Sequence, residues 1–231
     1  MGNCVNAVLV GWLASSTGEV VLRIDDADQA RYRPAYADDI FRTLAWLDIR
    51  VDDGPRNPRE LVESFSQKFK RRRYLEVANH ALDLGLAHGC ACPRHVQVCT
   101  CADRIVWTPG STALRLRTPG AEPGPVLWRR DDIPAYLLTS VVDDHDMAIT
   151  HVVRGEDLLE TSDLQRNFAA DIGLMFPIDV RHHELIRDAN GSKLSKSTGT
   201  RGPMVHDEAT RDRIVDLSIH AGEAIGIQSP D

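Results

Sequence analysis

Long apolar runs are missing from this 231-residue sequence, and none approaches the roughly 20 apolar residues a membrane-spanning helix needs. Its start, Met1-Gly2-Asn3-Cys4, has neither the apolar stretch of a secretory signal nor the arginines of a transit peptide. A myristoylation signal beginning at Gly2 would want Ser or Thr at position six, where Asn6 stands. A cytoplasmic chain without membrane contact is therefore expected. An excess of basic residues is also lacking: the formal charge of −7 argues against a surface coated for nonspecific nucleic-acid binding. A net value does not exclude a local patch, and Lys68, Lys70, Arg71, Arg72 and Arg73 form one. With Tyr74, Val77 and Ala81 following at helical spacing, those charges read as a solvated helix face, the alternative being a contact to a phosphate backbone.

What is present fits a globular protein with a substantial core. Hydrophobic residues at 42% and charged residues at 26% are ordinary values, and the length suits one large α/β domain or a core domain with an insertion. Five cysteines do not make a disulfide framework in a chain of this kind, yet four fall in one window: Cys90, Cys92, Cys99 and Cys101. Two Cys-x-Cys arms can place four thiolates around one tetrahedral Zn²⁺. The other reading is a cluster of reduced thiols left by a decayed site. His88 and His95 stand nearby as substitute ligands or surface residues, and Cys4 is expected in the core.

Periodicity outlines the rest. A helix-compatible segment over 7–13 is broken by Gly18, and a strand over 19–24 ends in the carboxylates Asp25, Asp26 and Asp28, where open α/β sheets place ligand-facing residues. Helices are expected over 35–47 and 64–84, the second ending at Gly85. The cysteine window and a Pro/Gly-rich run over 119–125 then interrupt the pattern as an inserted subdomain. It resumes with a mostly apolar run over 136–142, a strand within 147–154, a helix over 162–172 capped by Thr161 or Ser162, and a short strand over 183–186. Alternating strands and helices imply a mostly parallel sheet of Rossmann type.

Late in the chain, the turn-forming Asp188-Ala189-Asn190-Gly191 leads into Lys193-Leu194-Ser195-Lys196-Ser197. Two ammonium groups three residues apart, with hydroxyls between them, suit the triphosphate of ATP as charge develops on a pyrophosphate leaving group. A solvated loop would carry the same composition.

Four segments in order carry a family resemblance: Leu22-Arg23-Ile24-Asp25-Asp26-Ala27-Asp28; Tyr136 with Val141-Val142-Asp143-Asp144; Ile149-Thr150-His151-Val152-Val153-Arg154-Gly155-Glu156-Asp157; and Lys193-Leu194-Ser195-Lys196-Ser197. Together they resemble the catalytic core of class I glutamyl-tRNA synthetases, and within that family most nearly the short glutamyl-queuosine tRNA(Asp) branch. The resemblance implies a Rossmann-type class I core whose halves, residues 1–87 and 129–231, flank a zinc-binding and acceptor-binding insertion at 88–128. It implies ATP with Mg²⁺, L-glutamate and tRNA, tRNA(Asp) in particular, as partners of a monomer. By the same route Lys193 and Lys196 are expected to be catalytic, and Gly2, Asn3, Lys193, Ser195 and Lys196 to bind ATP. Asp25, Tyr136 and Arg154 would bind glutamate, and Cys90, Cys92, Cys99 and Cys101 a structural Zn²⁺.

Departures from the family pattern qualify this. Relatives have Glu at the position of Asp25, one methylene longer, and often Asn or Val at that of Ser140. The second cysteine arm comes early relative to the queuosine branch. Relatives open with an Arg-Phe-Ala-Pro-Ser-Pro-Thr-Gly strand and a His-x-Gly-Asn signature, and this sequence begins inside that signature. Two expectations follow: a true start upstream, or a degenerate relative that binds glutamate without efficient adenylation. A ligase acting on a non-tRNA acceptor is the remaining alternative.

Overall fold

A computed structural model describes residues 2–93, 96–101, 104–120, 122–187 and 205–230. Its first element, α1 (Gly2–Thr17), buries Cys4, Val5, Val8, Leu9 and Leu13. Those positions recur at helical spacing, so one stripe of α1 faces the interior. Gly18, at φ 134°, ends the helix by donating its N–H to Ala14.

The expected strand over 19–24 is instead reduced to one parallel bridge, Val21 with Asp53. Leu22 N–H donates to Asp53 O, Asp52 N–H to Val20 O, and Val20 N–H to the Asp52 carboxylate. Beyond Asp53 the partner turns away at Gly54, whose φ is 107° and where a Cβ would lie 2.3 Å from Leu22 O. Only glycine fits that turn and that approach, and the pairing stops there.

Pro34 opens α2 (Pro34–Trp46) at a position where its missing N–H costs nothing, and Asp48 at φ 57° turns the chain out. Where a single helix is expected over 64–84, helical structure starts earlier, with α3 (Pro58–Glu60) and a π turn (Leu61–Phe65), and is then broken into a 3-10 turn (Gln67–Lys70) and α4 (Arg71–Asp83). Ser66, buried and extended at ψ 136°, makes the break, and its hydroxyl accepts from Lys68 N–H. The restart puts Gln67, Lys70 and Tyr74 on one inward face, at spacings of three and four.

Within the expected insertion, β1 (Ala87–Cys90), β2 (Ala113–Leu116) and β3 (Val126–Trp128) form an antiparallel sheet with Cys90 opposite Ala113 and Leu114 opposite Trp128. The apolar run over 136–142 is the start of a helix, α5 (Tyr136–Asp146). A parallel crossover follows, from β4 (His151–Gly155) through α6 (Leu159–Asp171) to β5 (Asp179–His183), with His151 opposite Asp179 and Gly155 opposite His183. Neither Thr161 nor Ser162 caps α6: Leu158 precedes it, with no side-chain cap. The last element, α7 (Glu208–Ala224), is capped by the Asp207 carboxylate, which accepts from Thr210 N–H at 2.8 Å.

Two apolar clusters hold these elements. One joins α4, the antiparallel sheet, α5 and α6 around Tyr74, Leu114, Trp128, Leu138 and Phe168. The other joins α1, β4 and α7 around Val5, Leu9, Val153 and Ile214. Cys4 sits in this second cluster, as expected. The architecture is α/β. Among the described residues no helix is long and apolar enough to cross a membrane.

Candidate active site

A cavity of about 480 Å³ opens between the loop over 24–33, the start of α2 and the start of α5. That size falls in the range of roughly 300–1,000 Å³ usual for small-molecule sites. Asp25, Asp26 and Asp28 line one side; Arg31, Arg33 and Arg129 bring positive charge, and Tyr136 contributes its half-exposed ring. Charges of both signs around an aromatic wall suit a small zwitterion. Some of that charge is already paired. Arg129 donates to Asp28 at 2.8 Å and holds its carboxyl below the usual range, while Arg33 donates to Ala30 O and Tyr32 O of its own turn.

Asp25, exposed at the cavity wall, is held from behind. Arg23 Nε donates to Asp25 Oδ1 at 2.9 Å and Gln67 Nε2 to the same oxygen at 3.1 Å. Behind them lie two buried carboxylates of α5. Asp143, fully buried, accepts from Gln67 Nε2 at 2.9 Å, Lys70 Nζ at 3.0 Å and Tyr74 Oη at 2.9 Å. Asp144 accepts from Arg23 Nη1. Burial pushes the Asp144 carboxyl up, against the pull of Arg23 and Arg154. For Arg23 burial works against the charge, but Asp25, Asp144 and Asp143 outweigh it and raise its pKa. Tyr74 is raised as well, by burial first and by Asp143 second, so it stays a neutral donor.

Arg154, at the end of β4, is only 7% exposed and is not among the residues lining the cavity. Its guanidinium donates to Gln165 Oε1 at 2.7 Å and Ser162 Oγ at 3.2 Å, both on α6. Gln165 Nε2 donates to Ser140 Oγ at 2.6 Å, and Ser140 donates to the carbonyl of Tyr136 at 2.7 Å. A buried polar chain therefore links Arg154 to the backbone of Tyr136. Ser162 Oγ also meets His182 Nε2 at 2.8 Å, and burial, with Arg154 second, lowers the His182 pKa and keeps the ring neutral.

The four cysteines of the insertion converge. Cys90 and Cys99 sulfurs lie 3.8 Å apart, Cys92 and Cys99 3.7 Å, Cys92 and Cys101 3.3 Å, and all four fall within 4.8 Å of one another. These separations are too long for disulfides and close to the edge of about 3.8 Å that a tetrahedron of 2.3 Å Zn–S bonds would have. Crowding and burial penalise the thiolates of Cys90 and Cys92. Cys92 is pushed up to about 12, chiefly by its bond with Cys101; Cys90 is raised by burial. For Cys101 burial is outweighed by the Ala91 backbone and the neighbouring thiols, which lower it. A divalent cation at the centre would remove that penalty, so the donor set suits one. His88 is no surface residue: it is buried, with Nδ1 against Gly89 O.

The basic run is not simply a solvated face. Lys70 meets Asp143, Arg71 is bidentate to Asp132 at 2.7 Å, and Arg73 meets Asp146 at 3.0 Å, so three of its charges tie α4 to the segment around α5. Arg72 pairs locally with Glu76.

Of the expected site residues, the structure brings Asp25 and Tyr136 to one cavity and connects Arg154 to it through Gln165 and Ser140. Gly2 and Asn3 form the first turn of α1 and do not line that cavity. Lys193, Ser195 and Lys196 lie outside the described residues. Sequence reasoning assigned no role to Gln67 or Gln165, read Lys70 as part of a solvated or phosphate-contacting face and Tyr74 as apolar spacing, and used Asp143-Asp144 only as part of the family resemblance. The available signals were Gln67, Lys70 and Tyr74 at helical spacing, and two adjacent carboxylates ending an apolar run.

The sequence matches the family model described as tRNA synthetases class I (E and Q), catalytic domain, over residues 5–96 and 120–213. The intervening gap contains Cys99 and Cys101. Glutamate–tRNA ligase 2 of Neorickettsia sennetsu is 34% identical over 187 residues, covering 79% of this chain and 42% of the relative. Glutamate–tRNA ligase 2 of Rhodospirillum centenum is 31% identical over 234 residues, covering 84% and 48%. The chain thus spans less than half the length of these two curated relatives. The crystal structure of the glutamate-tRNA synthetase from Elizabethkingia anophelis superposes with a TM-score of 0.70 at 21% identity, over 90% of this chain and 53% of that one, which bears on the fold alone. Matched over well more than half of its length, this chain belongs to the catalytic-domain family of class I tRNA synthetases for Glu and Gln.

Proposed function

We propose that the chain carries the catalytic site of an ATP-dependent ligase that activates L-glutamate and transfers it to tRNA. The observation that carries this reading is the cavity shared by Asp25 and Tyr136, with Arg154 held beside it by a buried hydrogen-bonded chain. Asp25 would receive the amino group, Tyr136 the aliphatic body and Arg154 a carboxylate, for which a guanidinium fork is well matched. Activation requires the other carboxylate in line with the α-phosphate of ATP, which is a matter of positioning and charge stabilisation. Lys193 and Lys196 would stabilise the pyrophosphate as it leaves. Gly2, Asn3 and Ser195 would complete the site for ATP, with Mg²⁺ on its phosphates.

Glutamate-dependent ATP–pyrophosphate exchange tests the activity. Lys196→Ala should abolish exchange while leaving glutamate binding nearly intact, because the lysine acts on charge that develops only in the transition state. Exchange that does not depend on glutamate, or a chain that binds glutamate and never exchanges, would overturn the reading in favour of another amino acid or a binding protein.

The finer acceptor reading is queuosine in tRNA(Asp), supported by the Cys90-x-Cys92 arm, which matches the first arm of the queuosine branch. Transfer of labelled glutamate to queuosine-containing tRNA(Asp), and not to tRNA(Glu) or small amines, is the expected result. The Cys90, Cys92, Cys99 and Cys101 cluster would hold one structural Zn²⁺. A monomeric, cytoplasmic protein completes the reading.

A further inference from the structure

The geometry points to Gln67 as the residue that positions Asp25 and thereby sets how strongly the cavity discriminates for a ligand bearing an amino group. The argument starts from satisfaction. Gln67 is 2% exposed, and every polar group of its side chain is used on the cavity loop or on α5. Its Oε1 accepts from Ala27 N–H at 2.9 Å, and its Nε2 donates to Asp25 Oδ1 at 3.1 Å and Asp143 Oδ2 at 2.9 Å. Its backbone N–H donates to Asp26 Oδ1 at 2.8 Å. One buried residue thus grips three consecutive positions of the cavity loop.

The consequence for Asp25 lies in which oxygen is used. Gln67 and Arg23 both bond Oδ1, and among the described residues no hydrogen bond uses Oδ2. Fixing one oxygen from behind leaves the other for a ligand in the cavity that Asp25 lines. An amide does this without adding a positive charge. Arg23 already sets one positive charge 2.9 Å from Asp25 Oδ1; a Lys or Arg in place of Gln67 would add a second and weaken the pull on an ammonium group further, and an acid would repel the carboxylate. Asp143 in turn fixes Gln67: Lys70, Tyr74 and Gln67 all donate to it, so the amide orientation is dictated by a buried acceptor. Gln67 does not touch the ligand; it acts through Asp25.

This inference rests on the glutamate reading above, so its test separates the two. Binding of glutamate and of glutarate, which lacks only the amino group, is measured by calorimetry on the full chain. Glutamate bound by the wild type no better than glutarate would overturn the assignment of Asp25 to the amino group, and the inference with it. With wild-type preference established, Gln67→Met removes the donors to Asp25 and Asp143 at similar volume without setting a third carboxylate among them, and thermal melting checks that the variant is folded. The expected result is a glutamate-to-glutarate affinity ratio reduced about tenfold, the effect of losing a well-aimed charge-assisted contact, with glutarate binding held. Asp25→Asn, at an exposed position where folding is not in question, should reduce the same ratio at least as much. An unchanged ratio in either variant, including the case where both ligands weaken equally, would overturn the positioning role and leave Gln67 as a scaffold residue only.

Discussion

Arg23 and Asp144 stand 121 residues apart in sequence and meet in a partly buried ion pair directly behind the cavity wall. Removing one partner of such a pair strands the other charge in a medium that solvates it poorly, at a cost of about 3–5 kcal/mol. Asp144→Ala should therefore lower the stability of the whole fold in urea denaturation, while the charge-reversed Arg23→Asp/Asp144→Arg double variant should recover part of the loss. A double variant no more stable than Asp144→Ala would mean that the pair contributes through packing alone.

Glutamate affinity should depend on Arg154 more than on any surface arginine. Arg154→Ala is expected to weaken binding by about 2–4 kcal/mol, the usual cost of truncating one side of a buried charged contact. Arg154→Lys should be nearly as poor, because a single ammonium cannot bond Gln165 and Ser162 and still present a fork. Calorimetry decides the matter, and unchanged affinity in Arg154→Ala would remove this residue from the site.

Metal content is the check on the thiol cluster. By the four-ligand logic of structural sites, elemental analysis should find about one zinc per chain, and chelation should free the thiols and lower the melting temperature. Cys92→Ser should reduce occupancy while leaving glutamate binding in place, since Cys92 does not line the cavity and its carbonyl only accepts from Arg130, the neighbour of the cavity-lining Arg129, at 3.0 Å. Metal-free protein of full stability would restore the reading of a decayed site.

Acidification should loosen β5 and α6 through His182. Its folded pKa lies below the ordinary 6.5 because of burial and the facing Arg154, with Arg166 and His183 adding to the effect and Asp163 opposing it. Below about 6.5 the unfolded chain then binds the proton more readily than the folded one, so stability falls as pH drops toward the folded value. The melting temperature should decline between pH 7.5 and 5.5, and His182→Gln should flatten that slope. The lowered carboxylates Asp28, Asp179 and Asp207 act only at more acidic pH and do not blur this window.

Gly222 lets α7 lie close against the chain that follows it and against α1. A Cβ there would lie 2.5 Å from Ile227 O and 3.1 Å from Leu9 Cδ2, and a backbone carbonyl cannot step aside as a flexible side chain can. Gly222→Ala should cost about 1–3 kcal/mol as an overpacked contact, read by thermal melting.

Much of the secondary structure was legible in the sequence because local pattern decided it. Pro34 and the apolar spacing of α2, the β-branched run of β4 and the periodicity of α6 each announce themselves within a few residues of the observed bounds. The misreadings came where tertiary pairing overrode pattern. Residues 19–24 look like a strand but find one bridge, because Gly54 turns their partner away. Ser66 breaks a helix that propensity alone would have continued, and that break is what aims Gln67 at Asp25. Arg154 was named from its motif, but its tether through Gln165 to Ser140 depends on which faces of α5 and α6 meet, which no local spacing reveals.

The pairing of Cys90 with Ala113 has a consequence for how this chain can vary. It closes the cysteine-bearing segment at its neck, so that the length enclosed between the two strands is a loop whose ends stay fixed whatever happens beyond them. Closing a longer flexible loop costs only about 0.6 kcal/mol per doubling of its length. Residues can therefore be gained or lost between β1 and β2 with little effect on the carboxylate lattice behind the cavity, and the family match is interrupted over much of this segment. The neck lets this excursion be reshaped while the cavity lined by Asp25 and Tyr136 stays as it is.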